Sequence, residues 1–285
     1  MADDLKMETA GGRGESGRGE TGSLLRGLAL VEVLQGAQRP LTATELAEAV
    51  GQSVSTVHRL LQTLVQSEYA YRDSSKRYLA SPKTYMPLNL YHPLNTLRRD
   101  AREHLRTLRD QFRQTSSIIL FLGVQRLVVE MAVENESLSP YHATQLKSPL
   151  HGAASGKVLL ASLSAKARAD LLGPGPYPAV APNTITDPKA MEAEMKKVQA
   201  QGYATAVDEN YLGLTAVAAP IHAAPNHVIG CFDVAGLSKT FSPEDVEAAG
   251  TVVRMTAELF SMGSSAVKAV AAFANPATAE ILPGD

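Results

Sequence analysis

The sequence predicts an α+β chain of two domains, and three observations carry that prediction. The length of 285 residues exceeds one ordinary domain and suits two, at roughly 100–200 residues each. Apolar spacing is helical from Ser23 to about Val65, then mixed, with helices and antiparallel strands interleaved and no βαβ rhythm. Charge divides as well: residues 1–22 carry three basic and five acidic side chains, residues 23–113 thirteen and eight, and residues 114–285 eleven and sixteen. The net charge of −2 thus hides an excess of five positive charges in the middle segment. Asymmetry of that kind suggests parts with different partners, and the basic part is the one to test against nucleic acid.

Five segments follow from composition and pattern. Residues 1–22 form a tail, because residues 11–22 hold six glycines and no apolar side chain to offset ordering entropy. Residues 23–82 form the helical domain, 83–97 a proline-rich linker, 98–262 the α+β domain and 263–285 an Ala-rich second tail with room for a short helix. No stretch is apolar enough to span a membrane, and the polar start is no secretory signal. The lone Cys231 excludes an intrachain disulfide and points to a reduced, cytoplasmic setting.

The helical domain reads as three short helices. Ser23 is placed to cap the first, with Leu25, Leu28, Val31 or Glu32, and Val33-Leu34 at helical spacing. Thr42 caps the second and Glu45, three residues on, completes a capping box, with Gly51 just past its end. Ser53 caps the third, which buries Val57, Leu61 and Leu64 on one side. Residues 69–79 then alternate around a polar turn at Asp73–Lys76 and read as a β-hairpin.

Helix, tight turn, helix and basic hairpin is the order of a winged helix-turn-helix. Its candidate DNA contacts are Thr42, Thr44, Ser53, Ser55, Thr56, Arg59 and Gln62 on the helices, and Arg72, Lys76 and Arg77 on the wing. Short hydroxyls at a helix start reach phosphates or base edges, and Arg59 can pair with a guanine edge. His58 beside the buried stripe reads as a packing residue. The competing reading of this polar face is a solvated surface. Residues 23–82 hold only six basic and five acidic side chains, so grip must come from placed contacts rather than bulk charge.

In the second domain, Leu97–Gln114 reads as a helix and Ile118–Val124 with Leu127–Val133 as a strand pair around Gln125-Arg126. Ala153–Ala161, Ala165–Leu172 and Pro188–Gln201 are helical, Thr215–Ile221 and Val228–Val234 pair as a hairpin, and Pro243–Ser261 is the final helix, capped by Ser242.

The run Ser23–Leu34, then Leu41–Gly51, then Ser55-Thr-Val-His-Arg-Leu-Leu61 resembles the N-terminal domain of IclR-type transcriptional regulators. Pro149-Leu-His-Gly-Ala-Ala-Ser-Gly-Lys157 is similar to a second motif of that family, and Asn183–Pro188, Gln201–Tyr203 and Leu212–Pro220 agree in order over residues 23–262. The resemblance implies a GAF-like effector domain with an antiparallel sheet flanked by helices. It implies a homodimer or homotetramer on a palindromic double-stranded DNA operator, and a small organic effector controlling a catabolic operon. It implies no cofactor, no metal and no membrane partner. The proline-rich linker departs from the family pattern.

Carried over residue by residue, the effector positions are Ser148, Ala154, Ser155, Leu214, Ala216, Asp233 and Ala235. Amides at a helix start favour an organic acid there. Asp233 stands where relatives carry a hydroxyl, so it is paired, or its pKa is raised, or the ligand offers a donor; a structural role alone is the alternative. An enzyme reading finds little support. Gly152–Gly156 misses the nucleophile-elbow spacing, Ser155-Gly-Lys157 lacks a phosphate-loop spacing, His222 and His227 lack companion ligands, and Cys231 sits in an apolar strand. The alternative function is a small-molecule-binding or hydrolytic protein whose helix-turn-helix serves only dimerisation.

Overall fold

The computed structural model describes residues 20–37, 39–85, 91–134, 145–146 and 148–272, and divides the chain into two compact units, Met1–Pro87 and Leu88–Asp285. The expected tails therefore lie outside the described residues up to 19 and from 273 onward.

The first unit contains α1 (Glu20–Gly36), α2 (Ala43–Ala49) and α3 (Val54–Gln66), followed by β1 (Ala70–Arg72) and β2 (Tyr78–Ala80). Local signals set its boundaries. Thr42 and Glu45 form the full capping box: the Glu45 amide donates to the Thr42 hydroxyl, and the Thr42 amide donates to the Glu45 carboxylate. Gly51, at φ +62°, takes the left-handed turn between α2 and α3 that a side chain would strain. Ser53 caps α3 by accepting from the Thr56 amide. The core gathers Leu30, Val33 and Leu34 from α1, Leu46 from α2, and Val57 and Leu61 from α3. Leu41 exchanges two backbone hydrogen bonds with Tyr78, at 2.8 and 2.7 Å, and so fastens the wing to the helices.

Two expectations fail here. Ser23 lies inside α1 rather than at its cap, because the helix begins at Glu20. Leu25 and Leu28 are exposed, since the face that packs is set by Leu30, Val33 and Leu34, turned away from them around the helix.

The second unit is built on one six-stranded antiparallel sheet. Its strands are β3 (Thr115–Leu122), β4 (Gln125–Ala132), β5 (Gln145–Leu146), β6 (Ala204–Val207), β7 (Leu214–Ala224) and β8 (His227–Leu237). Their order is β5-β4-β3-β8-β7-β6. Side chains alternate between two apolar layers. One layer packs Ile118, Val217, Phe232 and Val234 against α4 (Pro93–Phe112), α8 (Pro243–Gly263) and α9 (Ser265–Val270). The other packs Ile119, Ala216, Ala218 and Cys231 against α5 (Ala154–Ser162) and α7 (Pro188–Gln201). The remaining helix, α6 (Ala165–Leu172), is tied to α7 by Arg168, which donates twice to Glu192 at 2.9 and 2.7 Å.

The boundaries differ from expectation at four places. The β3–β4 turn falls at Gly123-Val124, where Gly123 has φ +60°, so Arg126 belongs to β4 and not to a turn. The helix α4 starts at Pro93, inside the expected linker, because His92 caps it by accepting from the Leu94 amide and proline suits a first helical turn. The short strands β5 and β6 escaped pattern reading. The segment past residue 262 begins with the short helix α9, and its buried Ala266, Val267 and Val270 place it in the core rather than in a tail.

Candidate nucleic-acid interface and ligand pocket

On the first unit, α3 buries Val57 and Leu61 and turns the other side to solvent. Ser53, Ser55, Arg59 and Gln62 are exposed and Thr56 half-buried. Ser53, Ser55 and Thr56 make a small hydroxyl cluster, with Ser53 Oγ 3.1 Å from Ser55 Oγ and 2.9 Å from Thr56 Oγ1. His58 is exposed as well, which corrects the packing reading; it stands beside Arg59 on the outer face. Thr44 is exposed, whereas the Thr42 side chain is engaged in its cap, donating to Glu45 at 2.8 Å.

The wing carries the remaining cations. Asp73 closes its turn, accepting from the Arg77 amide on its carboxylate and donating its own amide to the Arg77 carbonyl, both at 2.8 Å. This presents Lys76 and Arg77 to solvent. The Arg72 guanidinium stacks over the Tyr78 ring, 5.6 Å from its centroid, which fixes its direction.

On the second unit, the pocket lies between the sheet and the start of α5. Its floor is Ser117 and Ile119 of β3, Ala216 of β7 and Asp233 of β8. Its wall is Ala153, Ala154 and Ser155, with Ser148 and Leu146 on one side and Asn210 and Leu214 on the other. Gly156 makes the close approach possible, because a Cβ there would lie 2.2 Å from the Leu150 carbonyl oxygen. Six of the seven expected effector positions line this one cavity. Ala235 does not; it points to the same face of β8 but packs into the apolar layer. The cavity is closed down to about 20 Å³, room for about one water molecule.

Arg126 is the chief residue that sequence reading missed. Its side chain is buried, and it reaches across the pocket from β4. Nη1 donates to Ser155 Oγ at 3.2 Å, and Nη2 donates to Ser148 Oγ at 3.2 Å and to the Ser148 carbonyl. Placing the hairpin turn at Gly123, the residue suited to it, would have put Arg126 on the inward side of a strand. Asp233 is held in the same cavity. Burial pushes its carboxyl up to about 7, and the Arg126 charge only partly opposes that.

Behind the wall, the fully buried Lys157 donates to Glu209 at 2.8 Å, to Glu194 at 3.0 Å and to the Thr205 carbonyl at 2.9 Å. Glu209 directly precedes the pocket residue Asn210, so this network anchors that wall to α5. Burial raises the Glu209 carboxyl despite the lysine beside it. His151 is also spent on structure: its Nε2 lies 2.9 Å from the Pro178 carbonyl oxygen, and its ring packs on Tyr177. Ser155 therefore faces a guanidinium rather than a histidine. Burial raises the Cys231 thiol well above its ordinary value, which keeps it unreactive. Among the described residues no cluster of His, Cys, Asp or Glu could hold a metal ion, and no helix is long and apolar enough to cross a membrane.

A winged helix-turn-helix with an exposed polar recognition helix, in a chain whose second unit holds a small pocket of mixed polar and apolar lining, defines a DNA-binding transcriptional regulator with a small-molecule domain. The chain belongs to the IclR family: the family description "IclR helix-turn-helix domain" matches residues 23–74, and "Bacterial transcriptional regulator IclR C-terminal" matches residues 92–262. It is 27% identical to the HTH-type transcriptional regulator BhcR of Paracoccus denitrificans over 262 residues, covering 91% of this chain and 88% of that protein. It is 27% identical to the Pca regulon regulatory protein of Pseudomonas putida, covering 74% of this chain and 73% of that one. The fold is shared with an IclR homologue from Microbacterium hydrocarbonoxydans complexed with 4-hydroxybenzoate, at a TM-score of 0.70 and 22% identity, over 87% of this chain and 99% of that structure. These relatives are named as regulators, and the family comprises DNA-binding regulators rather than enzymes.

Proposed function

We propose that this regulator binds a palindromic operator of a catabolic operon in the cytoplasm as a homodimer or homotetramer, and that a small organic acid or a derivative of one alters its grip. The observation that carries the ligand half is Arg126: a buried guanidinium, beside serine hydroxyls, Asn210 and the uncapped start of α5, suits a carboxylate, and the one acidic group that shares the pocket, Asp233, is pushed by burial toward its neutral form. The 4-hydroxybenzoate bound by the Microbacterium homologue supports that chemical class. The DNA half assigns Ser55, Thr56, Arg59 and Gln62 to the major groove, Thr44, Lys76, Arg77 and Arg72 to backbone phosphates, and to Thr42 and Ser53 the caps that aim their helices.

Coupling needs only that the acid binds the DNA-competent arrangement better or worse than the alternative. The cavity holds about one water, so an acid of several heavy atoms must part the start of α5 from the sheet, and that separation is the structural lever. The test is calorimetric titration of the full chain with a panel of benzoates, 2-hydroxy acids, amides and hydrazides, followed by operator titration with and without each compound that binds. Binding of an acid with a changed operator affinity is expected. Binding of none, or binding that leaves operator affinity unchanged, would overturn the assignment.

A further inference from the structure

We propose that the pocket takes up its organic acid together with one proton from solvent, held on Asp233, so that anion and proton enter as a neutral pair. This rests on the acid-binding reading of the pocket and adds to it a stoichiometry that the reading alone does not require.

Charge has to balance in a buried pocket. Among the described residues the lining carries one cation, Arg126, and one carboxylate, Asp233. Asp233 sits mid-sheet, opposite Ser117 on β3 and Ala218 on β7, and is buried. Among the described residues, the elements packed around it bring no second counter-charge. From β3, β6 and β7 come Ser117, Ile119, Ala206 and Ala216; from the start of α5, Ala153–Ser155; from the β6–β7 loop, Asn210. The buried Lys157 of α5 is already shared by Glu194 and Glu209.

A monoanion arriving at Arg126 would leave one uncompensated negative charge in a buried site, which is expensive. A proton on Asp233 removes it. It also turns an acceptor into a donor, so the Asp233 hydroxyl can bond an oxygen of the ligand instead of repelling it. Burial has already moved Asp233 to about 7, so that proton is available near neutral pH at little cost. A ligand carrying an ammonium group would bring its own counter-charge and need no proton.

The test is isothermal titration of the full chain with 4-hydroxybenzoate, benzoate and a 2-hydroxy acid in phosphate and in Tris, at pH 6 and pH 8. The difference in heat between buffers counts protons. Uptake of about one proton per bound acid is expected at pH 8 and much less at pH 6, with affinity falling up to about tenfold per pH unit above neutrality. The uncharged 4-hydroxybenzamide, if bound, takes up none. Asp233→Asn should abolish both the uptake and the pH slope; if that variant fails to fold, the buffer comparison on the unaltered chain decides alone. Acid binding with no uptake and no pH slope would overturn the proposal while leaving the pocket reading intact. Absence of binding by every acid at both pH values would remove the acid reading, and this proposal with it.

Discussion

Arg126 Nη1 donates to the hydroxyl of Ser155 at 3.2 Å, joining strand β4 to the first turn of α5 across the pocket. The bond links the sheet to the helix start at the pocket wall. A carboxylate bound there would compete with Ser155 and Ser148 for the same guanidinium, so ligand occupancy and wall position are coupled through one side chain. Arg126→Met should abolish acid binding by calorimetry while the chain still folds. Ser155→Ala should leave folding intact and shift the acid's affinity by about 0.5–1.5 kcal/mol, the ordinary net worth of one hydrogen bond. Unchanged acid affinity in Arg126→Met would remove that residue from the site.

The Lys157 network should behave as a structural unit. Lys157→Met leaves Glu209 and Glu194 facing one another without their cation, and breaking a buried pair from one side costs about 3–5 kcal/mol. Urea unfolding of the second unit should report that loss. Adding Glu209→Gln should recover part of it, because the stranded carboxylate is then gone. Additive losses in the double variant would mean that the two side chains are not coupled.

Asp233 also sets a pH trend in stability. Its folded value, about 7, lies above the ordinary value of 3.8, so the folded chain holds a proton that the unfolded chain has released between those limits. Stability from this group is therefore full below about pH 4 and is lost as pH rises toward 7. Asp233→Asn should raise the melting temperature at pH 8 more than at pH 5. An equal shift at both values would show that the carboxyl titrates normally.

Much of this was legible in the sequence, for reasons that differ by element. Thr42, Glu45, Gly51 and Ser53 act through neighbours within four residues, so pattern reading located the helix-turn-helix closely. Its errors came where tertiary packing overrides spacing. Leu25 and Leu28 have helical periodicity, yet the buried side of α1 is decided by what α3 offers. The pocket was half legible. Ser148, Ala154, Ser155, Leu214, Ala216 and Asp233 came from family resemblance and meet in one cavity. Arg126 was hidden by a two-residue error in the turn, which put it in the connection instead of on a strand with an inward face. The partners of Lys157 lie 37 and 52 residues away, beyond any local signal.

The wing and the recognition helix should separate by salt and by sequence. Lys76→Ala and Arg77→Ala, both on the exposed turn, should weaken binding to all duplexes alike and each lower the salt slope by about one. Equal slopes in the unaltered chain and both variants would exclude the wing from the interface.

The most direct measurement of the central claim is the affinity of the full chain for duplexes enriched by in vitro selection, against random duplexes of equal length, for the unaltered chain and Arg59→Ala. The unaltered chain should prefer the selected sequence by about a thousandfold or more, and Arg59→Ala should lose about 1–3 kcal/mol on that sequence alone. Equal affinity for selected and random duplexes, or an Arg59→Ala loss spread evenly over both, would contradict it.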